Sequence, residues 1–241
     1  MHRPSSTDNW IQSALEPRQQ PRSTRRFRVW TSREFERVIR QLIVDGPQPA
    51  EAYKRHRIAT HPRSRVVVYQ SPNHAWVLKR FNVLPDKKAK RAVTRSLGRR
   101  AWNAALALQR LGLHTPRTLA LAEERWATCL RGTSYLVSEY IAAPTLGQIM
   151  RNSRSSHGDR VELLRLVVSN VRKLHNAGFI HGDLRADNLL IDKDRLFFID
   201  LDAFSRRCHP RHWRSGVENE WRRLGRTLNE PDRQVLTELL A

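Results

Sequence analysis

One stretch constrains this chain more than any other: His181-Gly182-Asp183-Leu184-Arg185-Ala186-Asp187-Asn188, followed after an apolar run by Phe198-Ile199-Asp200-Leu201-Asp202. It spells H-G-D-x-x-x-x-N, with an aspartate twelve residues after the asparagine. The apolar runs 189–191 and 196–199 flank an Asp192-Lys193-Asp194 turn. They read as a short hairpin that carries the last aspartate back beside the first. Transfer of a phosphoryl group to a hydroxyl needs such a set of oxygens. One carboxylate accepts the hydroxyl proton, and other oxygens hold metal ions against the nucleotide phosphates. Asp183 fits the base, Asn188 a metal ligand and Asp200 the main metal ligand, with ATP as donor and Mg²⁺ or Mn²⁺ as the ion. A plain hairpin with acidic ends would account for the turn, but not for the asparagine at its fixed spacing or for the long helix and Gly178 stop that precede the motif.

The rest of the chain supplies a matching frame. Residues 1–25, rich in Ser, Pro, Gln and Arg, read as a disordered basic tail. Thr31-Ser32-Arg33-Glu34 is a capping-box pattern before Phe35, Val38, Ile39 and Leu42 at helical spacing. Strands are expected over 53–60, 65–70 and 75–81, then a helix over 99–111 stopped by Gly112, then strands over 119–121 and 135–141. Thr145 opens a short helix, and 159–176 form a long one whose apolar face leads into the motif. Val217, Trp221, Leu224 and Leu228 recur at helical spacing, and a final helix follows Pro231. Three strands, a helix and two strands match the small lobe of a protein kinase. The expectation is therefore an α+β, two-lobed kinase-like domain over 26–241. Its small antiparallel-sheet lobe would run from about 47 to 141. Its mostly helical lobe, from about 142 to 241, would be truncated at its C-terminal end.

Within that frame Lys79, on the third strand of the small lobe, is placed to hold nucleotide phosphates. Glu139 and Ile141, at the end of the fifth strand, fall at the hinge that would bind adenine through backbone groups. Two usual parts are missing. No glycine lies between Gly46 and Gly98, so Arg63 or Arg65 in the turn 60–64 would supply charge in place of a glycine-rich loop. Between Arg80 and Ala122 the only carboxylate is Asp86, so the helix after Lys79 brings no glutamate to pair with it. A polar residue such as Asn103, or a carboxylate from elsewhere, would have to orient Lys79.

Charge points to the partner class. The net charge is +21, with nine Lys or Arg against one acid in residues 79–100 and seven Arg against two Glu in 206–226. Such a field favours an anionic partner: nucleotide, anionic membrane, acidic glycolipid or nucleic acid. No apolar run approaches a membrane span and no signal peptide is evident. Cys129 and Cys208 form no metal motif, and a reducing cytosol is the simplest compartment.

Several stretches together resemble the lipopolysaccharide core kinases, which phosphorylate heptose or Kdo sugars on the cytoplasmic side of the bacterial inner membrane. They are Val77-Leu78-Lys79-Arg80-Phe81, Ala101-Trp102-Asn103, Leu111-Gly112-Leu113-His114-Thr115-Pro116-Arg117, residues 135–141, residues 181–188 and Ile199-Asp200-Leu201-Asp202-Ala203. Many members of that group carry Glu where Ala101 stands. The resemblance implies an ATP- and metal-dependent kinase acting on a hydroxyl of an anionic sugar or glycolipid, peripheral to the inner face of the membrane. Forty-one residues follow Asp200 without an Ala-Pro-Glu segment, which disfavours a peptide-docking region. Two rivals stay open: an atypical metal-dependent protein Ser/Thr kinase, and a catalytically dead pseudokinase serving as a basic scaffold. A scaffold of that kind would bind phosphates with strong salt dependence.

Overall fold

The computed structural model describes residues 22–23, 27–31, 54–61, 64–70, 75–82, 94, 96–126, 130–152, 156–206 and 210–241. The chain divides into two compact units, one ending at Arg99 and taking in Arg117–Tyr140, the other comprising Arg100–Pro116 and Ile141–Ala241.

The first unit is an antiparallel sheet. Its strands are β1 (Arg22–Ser23), β2 (Phe27–Thr31), β3 (Lys54–His61), β4 (Ser64–Gln70), β5 (Ala75–Phe81), β6 (Thr118–Trp126) and β7 (Leu130–Glu139). Among the described residues they lie in the order β1-β2-β6-β7-β5-β4-β3. Strand alternation sorts the side chains onto two faces. One face buries Phe27, Val29, Val67, Tyr69, Trp76, Leu78, Ala120, Ala122 and Val137. The other carries Lys79 opposite Leu136, which in turn pairs with Leu121.

Two strands differ from the sequence expectation. β1 falls inside the stretch read as a disordered tail, and β2 precedes the expected start of the small lobe. β2 pairs with β6 from Phe27↔Glu124 to Thr31↔Ala120 and buries Phe27 and Val29. Its alternation is only five residues long and arginine-flanked, too short to stand out. β6 and β7 are also longer than expected, because pairing extends a strand past its apolar stretch into Glu123, Glu124 and Arg125. The helix expected after Thr31 lies outside the described residues, as do Arg63 and the basic segment 83–93.

The helix α1 (Leu97–Arg110) starts in the first unit and continues into the second. Ala101, Ala104, Ala105 and Leu108 are buried along it. Gly112, at φ 63°, ends it, and the Leu113 N–H bonds back to the Leu108 carbonyl at 3.0 Å.

The second unit is mostly helical: α2 (Leu146–Arg151), α3 (His157–Asn176), α4 (Pro210–Gly225) and α5 (Glu230–Leu240). Capping boxes open α2 at Thr145 with Gln148 and α3 at Ser156 with Asp159. α3 therefore begins at His157, two residues before the expected Asp159. It buries Leu164, Val167, Val168, Val171 and Leu174. Arg160 ties α3 to α5 through Asp232 at 2.7 Å and donates to the Met150 and Asn152 carbonyls.

Two short ribbons complete this unit: β8 (Phe179–Ile180) with β11 (Ser205–Arg206), and the hairpin β9 (Leu189–Asp192) with β10 (Arg195–Phe198). The hairpin buries Leu189, Ile191, Leu196 and Phe198. The chain at His114 and at Pro144 flanks its two edges, accepting the Phe198 and Ile191 N–H groups at 3.0 Å each. Among the described residues no helix is long and apolar enough to cross a membrane.

Candidate active site

The motif loop leaves β8 at Ile180 and enters β9 through a short 3-10 turn over Ala186–Asn188. Its first residue is wholly buried. The His181 Nε2 lies 2.9 Å from the Ile199 carbonyl oxygen, so it carries the proton and donates. Nδ1 is then free to accept the Asp183 N–H, at 3.3 Å. Burial holds His181 below its ordinary range, against the pull of Glu220 and the Ile199 carbonyl, so the ring stays neutral.

Gly182 is required on two counts. Its φ is 86°, and a Cβ there would lie 2.3 Å from the Ala203 carbonyl oxygen. The backbone of the loop therefore sits directly on the segment that carries Asp200 and Asp202.

Asp183 and Asn188 are joined. Asn188 Nδ2 donates to the Asp183 carbonyl at 2.9 Å and to its Oδ2 at 3.3 Å. The Ile199 N–H donates to the Asn188 carbonyl at 3.1 Å, which brings Asp200 next in line. Asp200 has φ 61° and ψ 54°, a left-handed conformation uncommon for a side chain with a Cβ. The hairpin thus returns the chain at Ile199, and with it Asp200, beside Asn188.

Two residues of α4 that the sequence reading passed over hold this loop. Glu220 is 2 % exposed. Its carboxylate accepts the His181 N–H at 3.1 Å, the Gly182 N–H at 2.5 Å and the His175 Nε2 proton at 2.9 Å. Trp213 and Trp221 stand edge-on to the His175 ring. Arg223 donates to the Gly182 carbonyl, and its Nη1 lies 3.6 Å from Asp183 Oδ1. The signal was there for Glu220, which stands three residues after Val217 and four before Leu224, a carboxylate on the apolar stripe of the helix.

In the first unit, Lys79 projects from the sheet face that receives the start of α1. A Cβ on Gly98 would meet Leu121 and Ser134 at 3.0 Å. The Lys79 Nζ lies 4.9 Å from the Phe81 ring centroid. The next row of the ladder on this face runs Phe81, Ser134, Glu123. Glu123 is thus a buried carboxylate on the face of Lys79, one the sequence reading did not single out. It binds Ser96 Oγ at 2.5 Å and Arg125 at 2.8 Å. Ala101 is buried, and Asn103, the polar residue considered for Lys79, is exposed. Glu139 accepts the Arg117 N–H at 3.1 Å, and the Tyr140 N–H bonds to the Ala75 carbonyl at 3.1 Å. Ile141 begins the next segment and is half-buried.

Among the described residues no cluster of three or more His, Cys, Asp or Glu could hold a metal ion. A hard dication that also binds phosphates needs only one or two protein oxygens. The Asp200 carboxylate and Asn188 Oδ1 fit that demand, since the Asn188 amide nitrogen is committed to Asp183.

A family model described as the lipopolysaccharide kinase (Kdo/WaaP) family matches residues 83–238. The 3-deoxy-D-manno-octulosonic acid kinase of Vibrio parahaemolyticus is 30% identical over 148 residues, 56% of this chain and 58% of that protein. The KEOPS complex subunit Bud32 of Pyrococcus abyssi is 32% identical over 66 residues, 27% of this chain and 29% of that protein. The chain thus spans less than two thirds of the length of either. A solved structure of WaaP in complex with acyl carrier protein superposes with a TM-score of 0.61 at 20% identity, covering 88% of both chains. The fold is the α+β kinase-like fold expected from the sequence.

Proposed function

The chain belongs to the lipopolysaccharide kinase (Kdo/WaaP) family, and from that membership we propose that it transfers the γ-phosphoryl group of ATP to a hydroxyl of a lipopolysaccharide core sugar, with 3-deoxy-D-manno-octulosonic acid as the leading acceptor. The observation that carries this reading is the joined set of Asp183, Asn188 and Asp200 on one loop and hairpin.

Asp183 orients the acceptor hydroxyl and takes its proton as the oxygen–phosphorus bond forms and the bond to the β,γ-bridging oxygen breaks. Asn188 holds the Asp183 carboxylate in place through Nδ2 and offers Oδ1, with the Asp200 carboxylate, to Mg²⁺ or Mn²⁺. A divalent cation held by these two residues would supply charge neutralisation to the nucleotide phosphates. Lys79 holds phosphate oxygens from its strand. The backbone around Glu139 and Ile141 receives the adenine. His181, neutral and donating to the Ile199 carbonyl, fixes the approach of Asp200 to the loop.

The positive charge supports recruitment to an anionic membrane surface, each basic residue near it contributing about 1 kcal/mol. Short matches also reach a protein kinase, Serine/threonine-protein kinase STE20 of Debaryomyces hansenii, 34% identical over 65 residues. A protein acceptor is therefore the second reading. Labelled ATP with Mg²⁺ or Mn²⁺, offered deacylated core oligosaccharide and a generic protein side by side, separates the two. Label on the oligosaccharide, lost in Asp183→Ala and Asp200→Ala, is the expected result. Label on protein alone would replace this reading with the second, and no label on either would favour a binding scaffold.

A further inference from the structure

The proposed base has a cation beside it that the transfer chemistry itself does not require. Asp183 is 38 % exposed and Arg223 43 % exposed, with Arg223 Nη1 3.6 Å from Asp183 Oδ1. The other oxygen, Oδ2, receives the Asn188 amide. A hydroxyl that reaches Asp183 must therefore arrive next to the Arg223 guanidinium. That guanidinium has five N–H donors, of which one is given to the Gly182 carbonyl. That bond pins Arg223 to the loop, so its remaining donors are held in place. α4 itself is fixed there by the buried Glu220, which accepts the His181 and Gly182 N–H groups.

Resting on the sugar-kinase reading, we propose that Arg223 binds an acid group of the acceptor, a carboxylate on the same sugar as the hydroxyl that is phosphorylated. A planar fork held by packing suits a carboxylate and gives bidentate, charge-assisted hydrogen bonds. An acceptor carrying a negative charge would be repelled by Asp183 alone. With Arg223 in place the pair presents no net charge to it. The residue thus selects acidic sugars over neutral ones at the step where the hydroxyl docks.

The test uses the full chain with ATP and Mg²⁺ and two acceptors: a 3-deoxy-D-manno-octulosonic acid glycoside, and the same glycoside with its carboxyl converted to the methyl ester. The wild type is expected to show a KM for the acid about 10- to 100-fold below that for the ester, the worth of a charge-assisted bond. Arg223→Gln should raise the KM for the acid to that of the ester, while the KM for ATP stays as in the wild type. Arg223→Lys, which keeps charge without the fork, should fall between.

Equal KM values for acid and ester in the wild type would overturn the proposal. So would an equal loss of kcat on both acceptors in Arg223→Gln, which would make Arg223 only a positioning residue for Asp183. A raised KM for ATP would assign it to the nucleotide. If Arg223→Gln fails to fold, Arg223→Lys and the acid-against-ester ratio of the wild type decide. Transfer to neither sugar removes the sugar-kinase reading itself, and this inference with it.

Discussion

The two units hold their charged residues by different means. In the sheet unit, Lys79 owes its place to the backbone ladder. Its partners are fixed at Val66 on one side and Leu136 on the other, whatever the side chain does. In the helical unit, Asp183 sits on an irregular loop that no ladder defines. There the backbone is fixed by side chains: Glu220 on two N–H groups, His181 on the Ile199 carbonyl, Thr227 on the Ala186 N–H, and Asn188 on the Asp183 carbonyl. The lesson is that a strand residue can be exchanged without moving its neighbours. A loop residue depends on buried polar groups elsewhere in sequence, each costly to leave unpaired.

The largest effect expected is on chemistry. Asp183→Ala should lower kcat by roughly 10²–10⁴ while the melting temperature holds, because a positioned base contributes about that much. A turnover number equal to wild type would remove Asp183 from the mechanism.

Next is the anchor. Glu220→Gln puts an amide NH₂ against groups that are themselves donors. It should cost about 3 kcal/mol or more of unfolding free energy and lower kcat as well, read from urea titrations beside steady-state assays. Loss of activity with no loss of stability would mean the loop does not depend on α4.

A smaller effect comes from acid. His181 has a folded pKa below its ordinary 6.5. The unfolded chain therefore binds a proton first. Stability is full above about pH 6.5 and declines as pH falls below that value toward the folded pKa. The urea midpoint should drop between pH 8 and pH 5.5, and drop less in His181→Asn. A midpoint that rises on acidification would contradict a neutral buried ring.

The smallest change in stability, under about 1 kcal/mol, is expected for Lys79→Met. Its KM for ATP should nonetheless rise sharply. A loss of stability as large as that of Glu220→Gln would break the comparison, since the ladder would then not be what fixes the strand.

Much was legible before any coordinates. Gly112 ending its helix, the capping box at Thr145 and the strand alternation of 64–70 and 75–81 are local signals, set by steric and hydrogen-bonding preferences within a few residues. The hairpin between Asn188 and Asp200 belongs to the same class, because its two strands are neighbours in sequence. For that reason the return of the chain at Ile199 to Asn188 could be read from spacing alone. β2 could not, since Phe27 and Val29 are buried only by pairing with a strand some ninety residues later.

What the sequence by itself determined is the local placement of the candidate groups: Asp183 and Asn188 on one loop, Asp200 after the hairpin and Lys79 on a strand, at spacings that short-range folding preserves. What only the tertiary structure decided is which groups hold them. Glu220 and Arg223 reach Gly182 and Asp183 across about forty residues, and Glu123 joins the face of Lys79 through the register of two further strands. Such partnerships depend on which helix and which strand pack together. That choice is made by the burial of whole apolar faces, and no pattern within a single element encodes it.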